Sequence, residues 1–321
     1  MRRLFVLLQM VLLSGCGNSW IGQTSEAREQ PRLQVLAVED VPRDAVTLPN
    51  ADRSIKFAII GDSGRGSKQQ HEVAAQMAAY RQRFSYDFVL MAGDNIYEGP
   101  ASEDDYRLKF EEPYKALLDA GVKFYAALGN HDDTNQIYYK PFNMDGRRYY
   151  TFVPPVDPIT RWETRVRFFS LDSTYLNLEQ LRWFEKETTE SRAEWKIAFF
   201  HHPVYTPGRY TMAARGIRLA LESSLVNGGV DVVFTGHEHI YARSEMQKGI
   251  LYFVTGGAGS LREGDAQQSP AIARSYDRDY HFMLAEITDD GFFFQAINRL
   301  GATIDAGSLL RPVTTGTEAR R

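Results

Sequence analysis

The stretch that decides the fold is FVLMAGDNIY, residues 88–97. It begins with an apolar run, which is typical of a short buried strand. Gly93 then favours a turn, and the turn delivers the carboxylate of Asp94 and, three residues later, the phenol of Tyr97. In isolation the aspartate could hold a turn and the tyrosine could pack in the core. The meaning of the stretch therefore depends on the residues at the ends of the other strands.

Four further predicted strands also end in side chains that can bind metals. These strands are predicted at residues 55–60, 122–128, 195–200 and 230–234. The side chains after them are Asp62, Asn130, His131, His201, His202, His237 and His239. Ligands of open α/β sheets bind at the carboxyl ends of the strands, so we expect these residues to share one site. Oxygen donors with some imidazole suit iron, manganese or zinc better than copper.

The pattern of elements predicts an α/β fold of two packed mixed β-sheets flanked by helices. Helices are predicted at residues 68–84, 102–118, 178–190 and 212–225. Further strands are predicted at residues 33–38, 166–171, 250–254, 281–287 and 292–297. The last two flank Asp289-Asp290-Gly291, which is a hairpin signal. Residues 136–165 are rich in tyrosine and proline and predict an irregular loop at the rim of the site.

The motifs in this order resemble a known family. They are Asp62-x-Gly64, Gly93-Asp94-x-x-Tyr97, Gly129-Asn130-His131-Asp132, the strand-ending His201, and Gly236-His237-x-His239. The set is similar to the purple acid phosphatases, a branch of the calcineurin-like metallophosphoesterases, and most of all to their small, tartrate-resistant type. The resemblance covers roughly residues 55–300 and implies a four-layer sandwich, with helices outside two sheets.

One replacement of a metal ligand assigns the chain to the purple acid phosphatase branch. Most metallophosphoesterases place a ligand histidine two residues after the first aspartate, and that position is Gly64 here. Tyr97 supplies the missing donor, so the number of ligands is kept and an imidazole becomes a phenolate. A hard anionic phenolate suits a trivalent ion, which would lower the pKa of the phenol well below its free value of about 10.

The resemblance implies two adjacent metal ions. Asp62, Asp94, Tyr97 and His239 would hold Fe³⁺, and Asp94, Asn130, His201 and His237 would hold a divalent ion (Fe²⁺, Zn²⁺ or Mn²⁺). Asp94 would bridge the two. The implied reaction is hydrolysis of small phosphate monoesters by a hydroxide that the metals hold, so no serine or cysteine nucleophile is needed.

The resemblance also assigns two residues to the substrate. His131 would face the substrate, where it either stabilises developing charge or protonates the leaving group. His202 would line the pocket. The small enzymes of the family carry a second histidine nine residues after the strand-ending ligand, and here that residue is Tyr210. Arg209 is one alternative for holding phosphate, although an exposed arginine is usually only solvated.

The first residues predict export and a lipid anchor. Arg2 and Arg3 precede an apolar run that is too short to span a bilayer, and Cys16 comes next in LSGC. This order resembles a bacterial lipoprotein signal, in which the cysteine is lipidated, and the alternative is an ordinary cleaved signal. The expected location is the cell envelope, at the outer membrane or periplasmic face. The lipid on Cys16 would be the sole membrane contact, and no disulfide can form within the chain because Cys16 is its one cysteine.

The expected organisation has one catalytic domain. Residues 1–16 form the signal peptide, 17–53 a tether, 54–311 the catalytic domain and 312–321 a flexible tail. The formal net charge of −4 gives no reason to expect a nucleic-acid partner, and we expect a monomer.

Three other functions compete with this interpretation. The run Gly61-Asp62-Ser63-Gly64 echoes a serine-protease motif, but in those enzymes the histidine precedes the serine, and no histidine precedes Ser63. A phosphodiesterase or nucleotidase could use the same metals, because the rim loops decide between monoester and diester. A lipoprotein that binds metal without catalysis is also open, since folds outlive functions.

Overall fold

A computed structural model describes residues 31–154 and 165–311 of the 321-residue chain. The strands of this part lie in two mixed sheets of seven strands each. In chain order they are β1 (Arg32–Val35), β2 (Ile55–Ile60), β3 (Phe88–Met91), β4 (Lys123–Ala126), β5 (Tyr150–Phe152), β6 (Val166–Ser170), β7 (Trp195–Phe199), β8 (Val232–Thr235), β9 (Tyr241–Ser244), β10 (Leu251–Thr255), β11 (Ile272–Tyr276), β12 (His281–Ile287), β13 (Gly291–Asn298) and β14 (Thr303–Leu310).

Each sheet has a parallel block with antiparallel strands beside it. The first sheet has the order β1-β14-β13-β12-β2-β3-β4, in which β2, β3 and β4 are parallel. The second has the order β11-β9-β10-β8-β7-β6-β5, in which β6, β7, β8 and β10 are parallel. The two parallel blocks contain all the strands whose carboxyl ends carry the predicted site residues.

Aromatic side chains fill the space between the sheets. The Phe57 ring, on β2, lies 5.3 Å from the Phe168 ring and 6.2 Å from the Phe234 ring, both on the second sheet, in edge-to-face geometry. Successive side chains of a strand point to opposite faces, so Phe169 lies on the outer face and packs against Phe184 of a helix. The β-branched and aromatic runs of the sequence therefore fold as strands with two buried faces.

Helices cover the outer faces, which gives four layers. They are α1 (Lys68–Arg81), α2 (Glu103–Tyr106), α3 (Lys115–Asp119), α4 (Leu178–Glu190) and α5 (Thr211–Asn227). Tyr80 of α1 packs on Phe282 of the first sheet, and α4 and α5 share an apolar cluster with the second sheet. The predicted fold class is confirmed.

Several predicted boundaries differ from the observed ones. The helix predicted at residues 102–118 begins with Ser102 as its cap. It is divided into α2, a π-helical turn at Arg107–Glu111, and α3. Pro113 explains the break, because it has no N–H to continue the helical hydrogen bonds. The loop predicted at 136–165 contains the short strand β5 in its described part, and α1 ends at Arg81 rather than at residue 84.

The amino-terminal segment contributes to the first sheet. β1 forms the predicted edge strand, although it ends at Val35, and it pairs with β14. Further along, the Asn50 N–H donates to Oε2 of Glu286 at 2.6 Å. The predicted signal peptide at 1–16, Cys16 and the tail at 312–321 lie outside the described residues. Within the described ranges, no helix is long and apolar enough to cross a membrane.

Candidate metal centre

The first sheet supplies three of the predicted ligand positions. Asp62 follows β2, Asp94 follows β3 and Asn130 lies in the turn after β4. Asp62 and Asp94 are buried, and Asn130 is exposed. The three strands are neighbours in one parallel block, so their carboxyl ends lie side by side. The turn after β3 also carries Tyr97, whose side chain is 1% exposed.

The second sheet supplies the histidines. His201 follows β7, and His237 and His239 follow the neighbouring strand β8. Nδ1 of His201 lies 2.9 Å from the carbonyl oxygen of Ala92, which is in the turn after β3. The N–H of His237 donates to Oδ2 of Asp62 at 2.8 Å. The site is thus built across the gap between the two sheets, at the same edge of both.

Asp62, Tyr97, His239 and Asp94 form a first group of donors. The Tyr97 hydroxyl lies 3.0 Å from Oδ1 of Asp62 and 3.1 Å from Nε2 of His239. Nε2 of His239 lies 3.3 Å from the same Asp62 oxygen. Donor atoms of Asp62, Asp94 and His239 all lie within 4.8 Å of one another.

Asp94, Asn130, His201 and His237 form a second group. Nε2 of His201 lies 3.3 Å from Oδ1 of Asp94 and 3.0 Å from Oδ1 of Asn130. Nδ1 of His237 lies 2.9 Å from the same Asn130 oxygen and 3.2 Å from Nε2 of His201. All seven predicted ligands are therefore gathered in one place, and Asp94 lies in both groups.

The charges of these groups fit a cation. Asp62 and Asp94 are buried carboxylates, and within residues 31–154 and 165–311 no lysine or arginine forms an ion pair with either. Burial raises the pKa of Asp62 to about 8, with His201 opposing the shift. For Asp94, burial acts in the same direction, but the charge of His201 and the His131 N–H outweigh it and lower the pKa. Buried carboxylates that no lysine or arginine neutralises are costly, and a bound metal ion would compensate them.

The imidazoles and the phenol are suited to the same role. Burial, and then the charge of His201, lowers the pKa of His237 to about 2. Burial, and then the charge of Arg262, lowers that of His239 to about 3. Neutral imidazole is the form that binds metals. Burial and the charges of Asp62 and Asp94 raise the pKa of the Tyr97 phenol, so its ionisation requires a cation.

The two predicted substrate residues flank the donor groups. His131 is exposed, its ring lies 4.9 Å from the Tyr97 ring, and its N–H donates to Oδ1 of Asp94 at 3.0 Å. The His202 ring lies 4.4 Å from that of His237. Nδ1 of His202 is 3.0 Å from Oγ of Ser173, which also accepts the His202 N–H at 2.9 Å.

Two residues beside this centre were not predicted from the sequence. Ser173, which orients His202, lies just beyond β6, so the rule that polar residues follow parallel strands would have found it. Arg65 lies over the Tyr97 ring, with its guanidinium carbon 3.5 Å from the ring centre, and it donates to Oγ of Ser260. No local pattern signals that contact, because the two chain segments meet only in the fold.

A sequence model of the calcineurin-like phosphoesterases matches residues 55–241, which span the donor groups. The chain belongs to this family. It is thus a metal-dependent hydrolase of phosphoric esters, and the homologues imply a dinuclear metal site.

Individual relatives of this phosphoesterase are purple acid phosphatases. It is 29% identical to purple acid phosphatase 17 of Arabidopsis thaliana over 271 residues, which cover 74% of this chain and 79% of that protein. It is 22% identical to human tartrate-resistant acid phosphatase type 5, over 74% of this chain and 84% of that protein. Among solved structures, GAP50, described as the anchor in the inner membrane complex of Plasmodium, has a similar fold, with a TM-score of 0.71 and 16% identity over 81% of this chain and 89% of that one.

Proposed function

We propose that the protein is an exported acid phosphatase that hydrolyses phosphate monoesters with two metal ions, one of them Fe³⁺. The observation that carries the proposal is the position of Asp94 in both donor groups, which is the arrangement a bridging carboxylate needs. The names of the relatives, purple acid phosphatase and tartrate-resistant acid phosphatase, support the same activity.

The donor groups suggest which ion each would hold. Asp62, Asp94, Tyr97 and His239 offer two carboxylates and a phenolate, and such hard anions suit Fe³⁺. Asp94, Asn130, His201 and His237 offer one carboxylate, one amide and two imidazoles, which suit a divalent ion. Two metal ions, when bound, activate water and neutralise the charge that develops on the phosphate.

The protein orients these donors before any ion binds. Because Nδ1 of His201 lies 2.9 Å from the Ala92 carbonyl oxygen, that nitrogen keeps its proton, and Nε2 is the nitrogen that offers a lone pair to a metal. The His237 N–H holds Oδ2 of Asp62 at 2.8 Å, which turns the other oxygen towards Tyr97 and His239. Pre-oriented ligands lose less conformational freedom when the metal binds.

Two histidines act on the substrate in this proposal. His131 is exposed beside the donor groups, so it can donate a proton to the leaving oxygen of the ester. The Ser173 hydroxyl accepts the main-chain N–H of His202, and in this proposal it donates its own proton to Nδ1 of the His202 ring, so that the ring proton is on Nε2. That Nε2–H is then available as a hydrogen-bond donor to the phosphate.

The test is metal analysis, colour and turnover on one purified sample. The active protein should contain two metal ions per chain, one of them iron, and its oxidised form should be purple or pink because a phenolate on Fe³⁺ absorbs visible light. Tyr97→Phe should bleach the colour. Tyr252→Phe is the matched control, since Tyr252 is also a buried tyrosine and its hydroxyl has no hydrogen-bond partner among the described residues. Full activity in a colourless, iron-free protein would refute the iron assignment, and bound metal without turnover would favour a non-catalytic role.

The order of charged, apolar and small residues before Cys16 supports export with a lipid anchor. In a bacterial host, Cys16→Ser should prevent lipidation and move the protein out of the membrane fraction, while the kcat and KM of the purified enzyme stay unchanged. Equal membrane association of the two forms would refute the anchor.

A further inference from the structure

The family resemblance implies two histidines that hold the phosphate group, and here Tyr210 replaces the second of them. The Tyr210 ring lies 4.6 Å from that of His237, so it lies beside the centre at the place where the histidine was expected. Its N–H donates to Oε1 of Glu238 at 2.7 Å. A tyrosine in this place adds no positive charge near the substrate.

Among the residues that the structure describes, three arginines lie near the centre, and two of them already have a partner of opposite charge. Arg209, the residue that the sequence suggested, donates two hydrogen bonds to Asp265, at 2.7 and 2.8 Å. Nη1 of Arg65 lies 3.8 Å from a Glu98 oxygen, and its Nε donates to Oγ of Ser260. Asp265 therefore neutralises Arg209, and Arg65 has an acidic neighbour and a hydrogen-bond acceptor without a ligand.

Arg262 is the third arginine. Unlike Arg209 and Arg65, it has no ion-pair partner among the described residues. Its main-chain N–H donates to the carbonyl oxygen of His239 at 3.0 Å, which fixes it beside the donor groups. The guanidinium carbon lies 5.3 Å from the centre of the Tyr210 ring. Nη1 of Arg262 is buried and has no hydrogen-bond partner in the described part of the chain. A buried donor without a partner is costly. The Arg262 side chain as a whole is partly exposed, so a ligand that reaches the guanidinium and draws Nη1 into a hydrogen bond gains this free energy.

We propose that Arg262 binds the phosphate group of the substrate and makes the site prefer monoesters to diesters. This inference rests on the proposed function. A guanidinium presents N–H groups that fit phosphate oxygens and keeps its charge at every physiological pH. A monoester has three non-ester oxygens and two negative charges when fully ionised, whereas a diester has two such oxygens and one charge. One additional fixed positive charge therefore stabilises the bound monoester more.

The experiment compares Arg262→Gln with the native enzyme on 4-nitrophenyl phosphate and bis(4-nitrophenyl) phosphate. The two esters release the same nitrophenolate, so the leaving group does not differ between them. At about pH 7, where the monoester is mostly a dianion, Arg262→Gln should lower kcat/KM for the monoester about 10- to 100-fold, as expected for a lost hydrogen bond to a charged group. The fall in kcat/KM for the diester should be several times smaller. The Ki of inorganic phosphate should rise by about the same factor as kcat/KM for the monoester falls.

Arg209→Gln is the matched control, because it removes the same charge from an arginine that Asp265 already neutralises. It should leave the ratio of the two kcat/KM values unchanged. Arg262→Lys keeps the charge and should retain most of the monoester preference. In the native enzyme, the ratio of kcat/KM for the monoester to that for the diester should also fall below about pH 6, because the monoester gains a proton there. In Arg262→Gln this ratio should not fall.

Equal losses on the two esters, or an unchanged Ki of phosphate, would overturn the inference. If Arg262→Gln folds poorly, Arg262→Lys is the variant to measure. A loss of the monoester preference in Arg262→Lys, which keeps the positive charge, would also overturn the inference. Failure of the proposed function is distinguishable, because it would appear as a native protein without metal or turnover. Calorimetric titration of inorganic phosphate into native protein and Arg262→Gln tests Arg262 even then, and equal affinities would contradict its role.

Discussion

Asp62, Asp94 and His237 have φ angles of 54°, 52° and 68°, in the left-handed region that side chains rarely adopt. Such a conformation costs roughly 1–2 kcal/mol for each non-glycine residue. Each of the three follows a glycine, and Gly93 shows why: a Cβ there would lie 2.6 Å from Nδ1 of His201. The ends of these strands are therefore strained and closely packed. This backbone conformation places donors of both sheets next to one another.

His131 is the residue whose chemical role can be tested through the leaving group. It is exposed, so it can reach the leaving oxygen of the substrate, and a general acid matters most when that oxygen is a poor leaving group. His131→Ala should cost little on 4-nitrophenyl phosphate and about 10²–10⁴-fold in kcat on glycerol phosphate. His202→Ala and Tyr210→Phe are the comparison variants, and the selective loss should be absent from both. Equal losses of His131→Ala on the two substrates would assign it to charge stabilisation instead.

Asp94 and Asp132 are aspartates of adjacent turns with different expected effects. Asp94 lies in both donor groups, so Asp94→Asn should lose both metal ions and nearly all activity. Asp132 instead accepts hydrogen bonds from the N–H groups of Asn95, Ile96 and Gly129, at 2.8, 3.0 and 2.8 Å. An asparagine there replaces one acceptor oxygen with a donor, which should cost about 1–3 kcal/mol of unfolding free energy.

The two variants are separated by measuring metal content and urea denaturation. Asp132→Asn should keep its metals and, with chelator present, unfold at a lower urea concentration than chelated native protein. Asp94→Asn should lose its metals and, with chelator present, unfold no earlier than chelated native protein. Loss of metal from both to the same extent would contradict the assignment of Asp94 as the shared ligand.

At the scale of elements, a buried ion pair joins the two sheets away from the metal centre. Nε of Arg243, on β9, lies 2.6 Å from Oδ2 of Asp305, on β14, and both side chains are 3% exposed. The Tyr241 hydroxyl donates to the same oxygen at 2.7 Å. This contact links β9 of the second sheet to β14 of the first.

Removing one partner of this pair should be strongly destabilising. Asp305→Asn leaves the Arg243 charge buried and unmatched, and the expected loss is about 3–5 kcal/mol of unfolding free energy, measured by urea denaturation. The control is Asp119→Asn, which breaks an exposed pair with Lys115 and should change stability by less than about 1 kcal/mol. A double variant with apolar residues at Arg243 and Asp305 should recover much of the loss. A cost at Asp305 equal to that at Asp119 would contradict a stabilising role for the pair.

The elements that were predicted correctly differ from those that were missed in how local their stabilising contacts are. β12 and α4 have the predicted bounds, because each has a continuous apolar run or face, and Asn177 caps α4. β9, β11 and β14 were not predicted, since contacts between distant segments stabilise them. For the site, strand-ending motifs were enough to group the donors. Arg262 and Arg65 were not found, because their positions depend on how distant loops pack, whereas Ser173 follows a parallel strand and could have been found by the same rule.

At the scale of the whole molecule, the metal centre is a second connection between the sheets. Asp62, Asp94 and Asn130 come from the first sheet, and His201 and His237 come from the second. Metal ions held by both sets would cross-link the sheets at the edge where their loops meet. Without the ions, the buried carboxyl groups of Asp62 and Asp94 lie within 4.8 Å of each other, and both can be ionised only at a cost in free energy.

Removing the metals should therefore destabilise the entire fold, not only stop turnover. A ligand that binds the folded state alone, at about 1,000 times its Kd, contributes about 4 kcal/mol. At about 2–4 °C per kcal/mol, a chelator should lower the Tm of the native protein by about 10 °C, and adding metal back should restore it. Asp94→Asn should show little dependence of Tm on chelator, because its binding sites are already lost, whereas Arg262→Gln should respond like the native protein. An unchanged Tm in chelated protein, with metal analysis confirming that the ions are gone, would mean that the sheets hold together at this edge without them.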